Sequence, residues 1–148
     1  MVNQKSETRM TNQIRNQKSE TMGIVIVDHG SQRQESNRML EEVAAAFAKR
    51  FAALYSIVEP AHMELAEPSI ETAFNRCIGR GAKRVVVCPF FLGPGKHWTQ
   101  DIPRLTAEAA AKHTGVTYQV APTLGIDDLI LDLLNKRLES CLDDQIRM

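Results

Sequence analysis

From Gly23 onward the sequence switches repeatedly between short β-branched runs and longer stretches with apolar residues every three or four positions, which restricts the chain to a parallel α/β sheet. The first run, Ile24-Val25-Ile26-Val27, is apolar at every position, as a strand covered on both faces requires, and stops at Asp28-His29-Gly30-Ser31. Leu40, Val43, Phe47, Phe51 and Leu54 follow at helical spacing and define one face. A second strand is predicted over residues 57–63. It runs into Glu64-Leu65-Ala66-Glu67-Pro68, with Pro68 in the first turn of a helix carrying Ile70, Ala73, Phe74, Cys77 and Ile78 and closed by Gly79 or Gly81. The third strand, residues 84–88, leads into a long connection over residues 89–100, where Gly93-Pro94-Gly95 interrupts helix and strand alike. Asp101 is expected to cap the third helix, with Pro103 in its first turn and an end near His113 to Gly115. A strand over residues 116–121 and a last helix complete four βα units. In that helix Ile130, Leu134, Leu138 and Cys141 share a face after Asp127 and Asp128. The expected fold is a single doubly wound, flavodoxin-like α/β domain with a four-stranded parallel sheet.

A chain of 148 residues suits one such domain, over residues 23–148, and not two. Residues 1–22 are of another kind: polar, without apolar periodicity, and holding Asn-Gln-Lys-Ser-Glu-Thr at both Asn3 and Asn16. They read as a disordered tail. No apolar core of a secretory signal occurs there, its two glutamates disfavour a transit peptide, and Met22 is a candidate native start. The 18 basic residues balance 18 acidic ones and are scattered, which excludes a nucleic-acid binder that works by neutralising phosphates. No apolar run approaches the length of a membrane span. The three cysteines lack CxxC spacing and fit a reducing compartment. Cys77 and Cys88 fall on apolar stripes and read as buried thiols.

In open parallel sheets the ligand crevice lies outside the carboxyl ends of the strands. That rule collects His29 after the first strand, His62 and Glu64 at the end of the second, and Lys96, His97 and Trp98 after the third. His113 falls at a helix C-terminus, where an imidazolium complements the helix dipole. Imidazole is both a metal ligand and a base near neutral pH. Around His29, Gly30 permits close backbone approach, Ser31 offers a hydroxyl, and Asp28 is placed to orient the imidazole or bind a cation. Phe90, Phe91, Leu92 and Trp98 make the third connection unusually apolar, which points to a flat apolar ligand, although Phe90 and Phe91 equally serve to extend the buried strand. Lys96 and Arg104 are available for ligand carboxylates or for plain solvation. Glu64 and Glu67 offer hard oxygen ligands at the same edge; for Glu67 a helix N-terminus is an equal explanation, and for His62 an inward hydrogen bond to the backbone is.

Three blocks carry a resemblance: Val27-Asp28-His29-Gly30-Ser31, the run from Val58 through Glu64-Leu65-Ala66-Glu67-Pro68 to Ile70, and Pro89-Phe90-Phe91-Leu92-Gly93-Pro94-Gly95-Lys96-His97-Trp98 on to Pro103. Together they resemble the sirohydrochlorin chelatase family of class II chelatases over essentially residues 23–142. The chain is most similar to its short forms, the sirohydrochlorin ferrochelatase of bacteria and plastids and the small cobaltochelatase of cobalamin synthesis. The resemblance implies a half-size chelatase that forms a homodimer and takes sirohydrochlorin as substrate. It implies Fe²⁺ as the inserted metal, giving siroheme, with Co²⁺ second. His29 and His97 become the paired active-site histidines that hold the metal and accept protons. Glu64 assists them as a third catalytic group, and Ser31, Phe91, Lys96 and Trp98 meet the macrocycle. Gln32 and Lys96 stand where relatives often carry arginine.

No cofactor is required beyond the divalent metal substrate. Plant relatives can hold a [2Fe-2S] cluster, and Cys77 and Cys141 match such positions without clear ligand spacing, so no cluster is expected. The chain has no P-loop and no GxGxxG motif. The alternatives are a non-catalytic metal or tetrapyrrole carrier and, more remotely, a flavin protein, for which the first βα loop lacks a Ser/Thr-rich phosphate cradle. The expected location is the cytoplasm, with plastid stroma as the alternative; neither nucleic acid nor membrane is an expected partner.

Overall fold

The structure, a computed structural model, describes residues 21–146, apart from the side chains of residues 96–98, 145 and 146. The polar tail expected over residues 1–22 therefore lies outside the described residues as far as position 20. Four strands, β1 (Met22–Asp28), β2 (Ile57–His62), β3 (Arg84–Pro89) and β4 (Thr117–Val120), alternate with four helices, α1 (Gln34–Arg50), α2 (Ile70–Gly79), α3 (Lys96–Ala111) and α4 (Asp128–Ile146). All strand pairs are parallel and the sheet order is β2-β1-β3-β4. The expected doubly wound α/β sheet is thus what forms, and the order places the β1 carboxyl end between those of β2 and β3.

Side chains alternate across the pleat, so each strand feeds two cores. Val25, Val27, Val85 and Val87 face α2 and α3, where they meet Ile70, Phe74, Cys77, Ile102 and Ala109. Ile24 and Ile26 face α1 and meet Leu40 and Ala44. Phe74 and Ile102 are fully buried, and each contributes about 1.5–3 kcal/mol of transfer free energy to holding its helix on the sheet.

Several boundaries differ from expectation. α1 stops at Arg50, so Phe51 and Leu54 lie beyond it; the Phe51 N–H still bonds the Phe47 carbonyl, and the two rings touch at 4.8 Å. Pro68 precedes α2 instead of opening it, because Ser69 is the cap and its hydroxyl accepts the Thr72 N–H at 3.1 Å. α3 starts at Lys96, with Gly95 at the cap position, which puts Asp101 and Pro103 inside the helix. The breakers end at Gly95, and nothing from Lys96 to Ile102 opposes a helix. Pro103 removes the bond to the Thr99 carbonyl, and Thr99 lies exposed, where water can take that acceptor. The connection is therefore shorter than expected.

α4 departs most. Asp127 caps it through the Leu129 N–H at 2.9 Å, yet it does not pack on the sheet. On the expected face only Ile130 is half-buried, while Leu134, Leu138 and Cys141 are exposed. The sheet face it leaves open shows half-buried Val86 and Cys88.

Candidate functional site

The site begins where β1 and β2 run out side by side. Beyond the last register pair, Asp28 with His62, the two loops stay zipped: the Met63 N–H bonds the Asp28 carbonyl at 2.8 Å and the Glu64 N–H bonds the His29 carbonyl at 3.0 Å. Gly30 makes this approach possible. It holds φ +90°, and a Cβ there would sit 1.9 Å from the Glu64 carbonyl oxygen.

The zipped loops present His29 and Glu64 to solvent as a pair, Nε2 to Oε1 at 2.9 Å, each about half exposed (51% and 54%). His29 Nδ1 lies 3.0 Å from the Gly30 carbonyl, which only accepts, so that contact puts a hydrogen on Nδ1. The pair sets one imidazole nitrogen and one carboxylate oxygen side by side, a donor set able to act together on a cation.

Asp28 orients a different imidazole from the expected one. Its Oδ1 accepts from Nδ1 of His62 at 2.6 Å, and His62 is fully buried. His62 thus faces inward, but its ring bonds a carboxylate and not the backbone. Its Nε2 has no partner among the described residues. Nothing in a lone His-x-Glu spells out this pair; the signal available was that Asp28 and His62 both end adjacent parallel strands.

The other expected residues fall as follows. The Ser31 hydroxyl accepts the Arg33 N–H at 3.0 Å, and its backbone is clasped by the amide of buried Asn37. Glu67 serves the α2 N-terminus, taking the Ser69 N–H at 2.8 Å and the Thr72 hydroxyl at 3.0 Å. Phe91 is half-buried against the larger core, and exposed Leu92 follows it. Arg104 bonds Glu108 of its own helix at 2.8 Å, which raises the guanidinium pKa further. His113 stacks on Phe74 at 5.9 Å and contacts Asn75 Oδ1 at 2.6 Å, so it ties two helices together. Lys96, His97 and Trp98 lie in the first turn of α3 at the same sheet edge; their side chains are outside the described residues.

Among the described residues no three His, Cys, Asp or Glu side chains cluster as a metal site, so His29 and Glu64 form a two-donor set. Cys77 does not fit a cluster ligand: it is fully buried, and burial, helped by Glu59, pushes its thiol up to about 12. A cleft of about 400 Å³ opens beside the His29 loop, lined by Ser31, Gln32, Arg38, Leu65 and Ala66 among others. Leu65 holds a left-handed φ of +68° there while 58% exposed, a feature with no sequence signature.

A family model described as CbiX matches residues 23–141. The chain belongs to the CbiX family. Among its relatives, the sirohydrochlorin ferrochelatase, chloroplastic, of Arabidopsis thaliana is 58% identical over 120 residues, which cover 81% of this chain and 52% of that one. The sirohydrochlorin cobaltochelatase of Methanocaldococcus jannaschii is 44% identical over 82 residues, 55% of this chain and 56% of the other. This CbiX-family chain therefore spans about half the length of these curated relatives. A solved structure of SirB from Bacillus subtilis with Fe³⁺ superimposes with a TM-score of 0.68 at 28% identity, covering 82% of this chain and 47% of SirB.

Proposed function

We propose that this chain is a sirohydrochlorin chelatase that inserts a divalent metal into the tetrapyrrole. The observation that carries the reading is the His29–Glu64 pair, a base and a hard oxygen donor 2.9 Å apart on an open sheet edge. Insertion exchanges two pyrrole N–H protons for one M²⁺ and strips water from the cation. A nitrogen and an oxygen donor on one face serve both halves of that exchange. His29 and Glu64 hold the arriving metal through Nε2 and Oε1, and take up the two pyrrole protons as the metal passes to the ring. His97, in the first turn of α3 on the same edge, supplies the second imidazole. Ser31, Phe91, Lys96 and Trp98 are the assigned macrocycle contacts. The likeness to a relative named as a ferrochelatase favours Fe²⁺, and the cobaltochelatase relative keeps Co²⁺ as the second metal.

A homodimer completes the reading. Twofold pairing would restore the length of SirB, of which this chain covers 47%, and α4 offers the surface for it. Leu131, Leu134, Leu138 and Leu142 line one side of that helix and are all exposed. The chloroplastic relative supports plastid stroma over cytoplasm as the working location, and no helix among the described residues is long and apolar enough to cross a membrane.

The test is turnover. Protein mixed with sirohydrochlorin and Fe²⁺ or Co²⁺ should convert the absorption spectrum to that of the metallated ring over many equivalents, and His29→Ala and His97→Ala should each slow this by about 10²-fold or more. Stoichiometric binding without release of product would instead identify a carrier.

A further inference from the structure

We propose that Leu65 is the apolar seat of the macrocycle, held in water beside the His29–Glu64 pair so that a flat tetrapyrrole face closes over it. This rests on the chelatase reading of the site. The argument starts from a cost. A left-handed backbone brings Cβ against the following carbonyl oxygen, which glycine and asparagine tolerate and leucine does not. Leu65 nevertheless holds φ +68°. Burial does not offset that cost, because the side chain is 58% exposed and belongs to neither core.

The neighbours impose the conformation. On one side Glu64 is fixed by its N–H to the His29 carbonyl and by its carboxylate to His29. On the other, the Glu67 carboxylate is locked to Ser69 and Thr72. Two residues between such anchors have little freedom, and the strain persists because the surroundings over-determine it. A glycine would satisfy the same anchors without strain, so what leucine adds at this position is an exposed isobutyl group. It adds an apolar side chain to the lining of the 400 Å³ cleft, which is otherwise largely polar through Ser31, Gln32 and Arg38 among others. The sheet order adds a second apolar residue at this edge: β1 lies between β2 and β3, so the loops that carry Leu65 and Leu92, 58% and 65% exposed, follow the strands on either side of the one that ends at His29. Two exposed leucines bracketing a metal-handling pair suit a broad flat ring better than a compact polar ligand.

The test compares Leu65→Asn and Leu65→Met in the full chain, reading Tm and the Kd for metal-free sirohydrochlorin from its absorption and fluorescence. Asparagine suits the left-handed backbone, so Tm should hold or rise while Kd weakens roughly tenfold or more, the loss expected for removing one leucine's contact area. Methionine keeps the apolar bulk and should bind within about threefold of the parent. Equal Kd for Leu65→Asn and the parent, or an equal loss in Leu65→Met, overturns the proposal. If the parent binds the ring but never inserts metal, the chelatase reading fails while the Kd comparison still decides Leu65. If the parent does not bind the ring, both fall.

Discussion

Asp28 and His62 end adjacent parallel strands and share a 2.6 Å hydrogen bond directly beneath the candidate site, with His62 fully buried. The imidazole donates from Nδ1 to the Asp28 carboxylate, and its Nε2 has no hydrogen-bond partner among the described residues. The pair ties together the strand ends from which both site loops depart. Asp28→Ala leaves the buried ring without any partner and should cost about 1–3 kcal/mol of stability in urea unfolding. Asp28→Ala combined with His62→Leu removes both polar groups and should recover part of that loss.

Gly30→Ala strikes the contact between the two loops. A methyl 1.9 Å from the Glu64 carbonyl cannot be absorbed by a side-chain movement, because the obstacle is backbone. The loops must separate, and the His29–Glu64 distance goes with them. Metal insertion should fall by about 10²-fold, the usual consequence of misplacing a reacting group by an ångström. Circular dichroism should still report the parent secondary structure, since only the loop ends move.

Glu64→Gln separates charge from shape. The amide keeps a hydrogen-bonding contact with His29 Nε2 but loses the hard anionic oxygen offered to the cation. Insertion should slow by about 10²-fold with Tm nearly unchanged, because Glu64 is half exposed and its surface ion pair adds little to stability. A variant that retains full turnover would remove Glu64 from the mechanism.

Much of this arrangement was legible in the residues. Strands apolar on both faces and helical stripes such as Leu40 and Phe47 give the layered sheet, and the edge rule puts His29, Glu64 and His97 on one side of it. The sequence pattern points past the true start of α3 because Asp101 and Pro103 imitate cap and first-turn chemistry, while the true breaker is Gly95. The sequence offers Asp28 to its chain neighbour His29 or to a cation, yet successive strand residues point to opposite faces. Asp28 shares its pleat side with Ile24 and Ile26 and so meets His62 across the register, while His29 turns to Glu64. The left-handed Leu65 has no counterpart in composition or periodicity; it is imposed by anchors on either side that only the folded loops bring together.

α4 should be where the chain meets its copy. Leu131, Leu134, Leu138 and Leu142 recur at three- and four-residue spacing and contribute nothing to the described core. With the proposed homodimer, Leu134→Asp with Leu138→Asp should leave the domain folded and shift sedimentation from dimer to monomer. Two leucines withdrawn from an interface correspond to a loss of 10²-fold or more in association. An unaltered sedimentation coefficient would place the contact elsewhere.

Cys77 should make stability fall in alkali. Its thiol, packed where a Cβ on Gly23 would meet the Sγ at 2.9 Å, is pushed up to about 12 by burial first, then by Glu59 and against Arg80. In the unfolded chain the thiol titrates at about 8.5. Between those values the unfolded state has released a proton that the folded state keeps, so stability declines as pH rises, and below the lower value the term is constant. The slope reaches at most about 1.4 kcal/mol per pH unit. Other groups titrate in the same range, so the informative quantity is a difference. Between pH 9 and pH 10 the urea unfolding free energy of the parent should drop by roughly 1 kcal/mol more than that of Cys77→Ala, which lacks the thiol. Parallel pH profiles for the two proteins would mean that the thiol ionises in the folded state as readily as in the unfolded one.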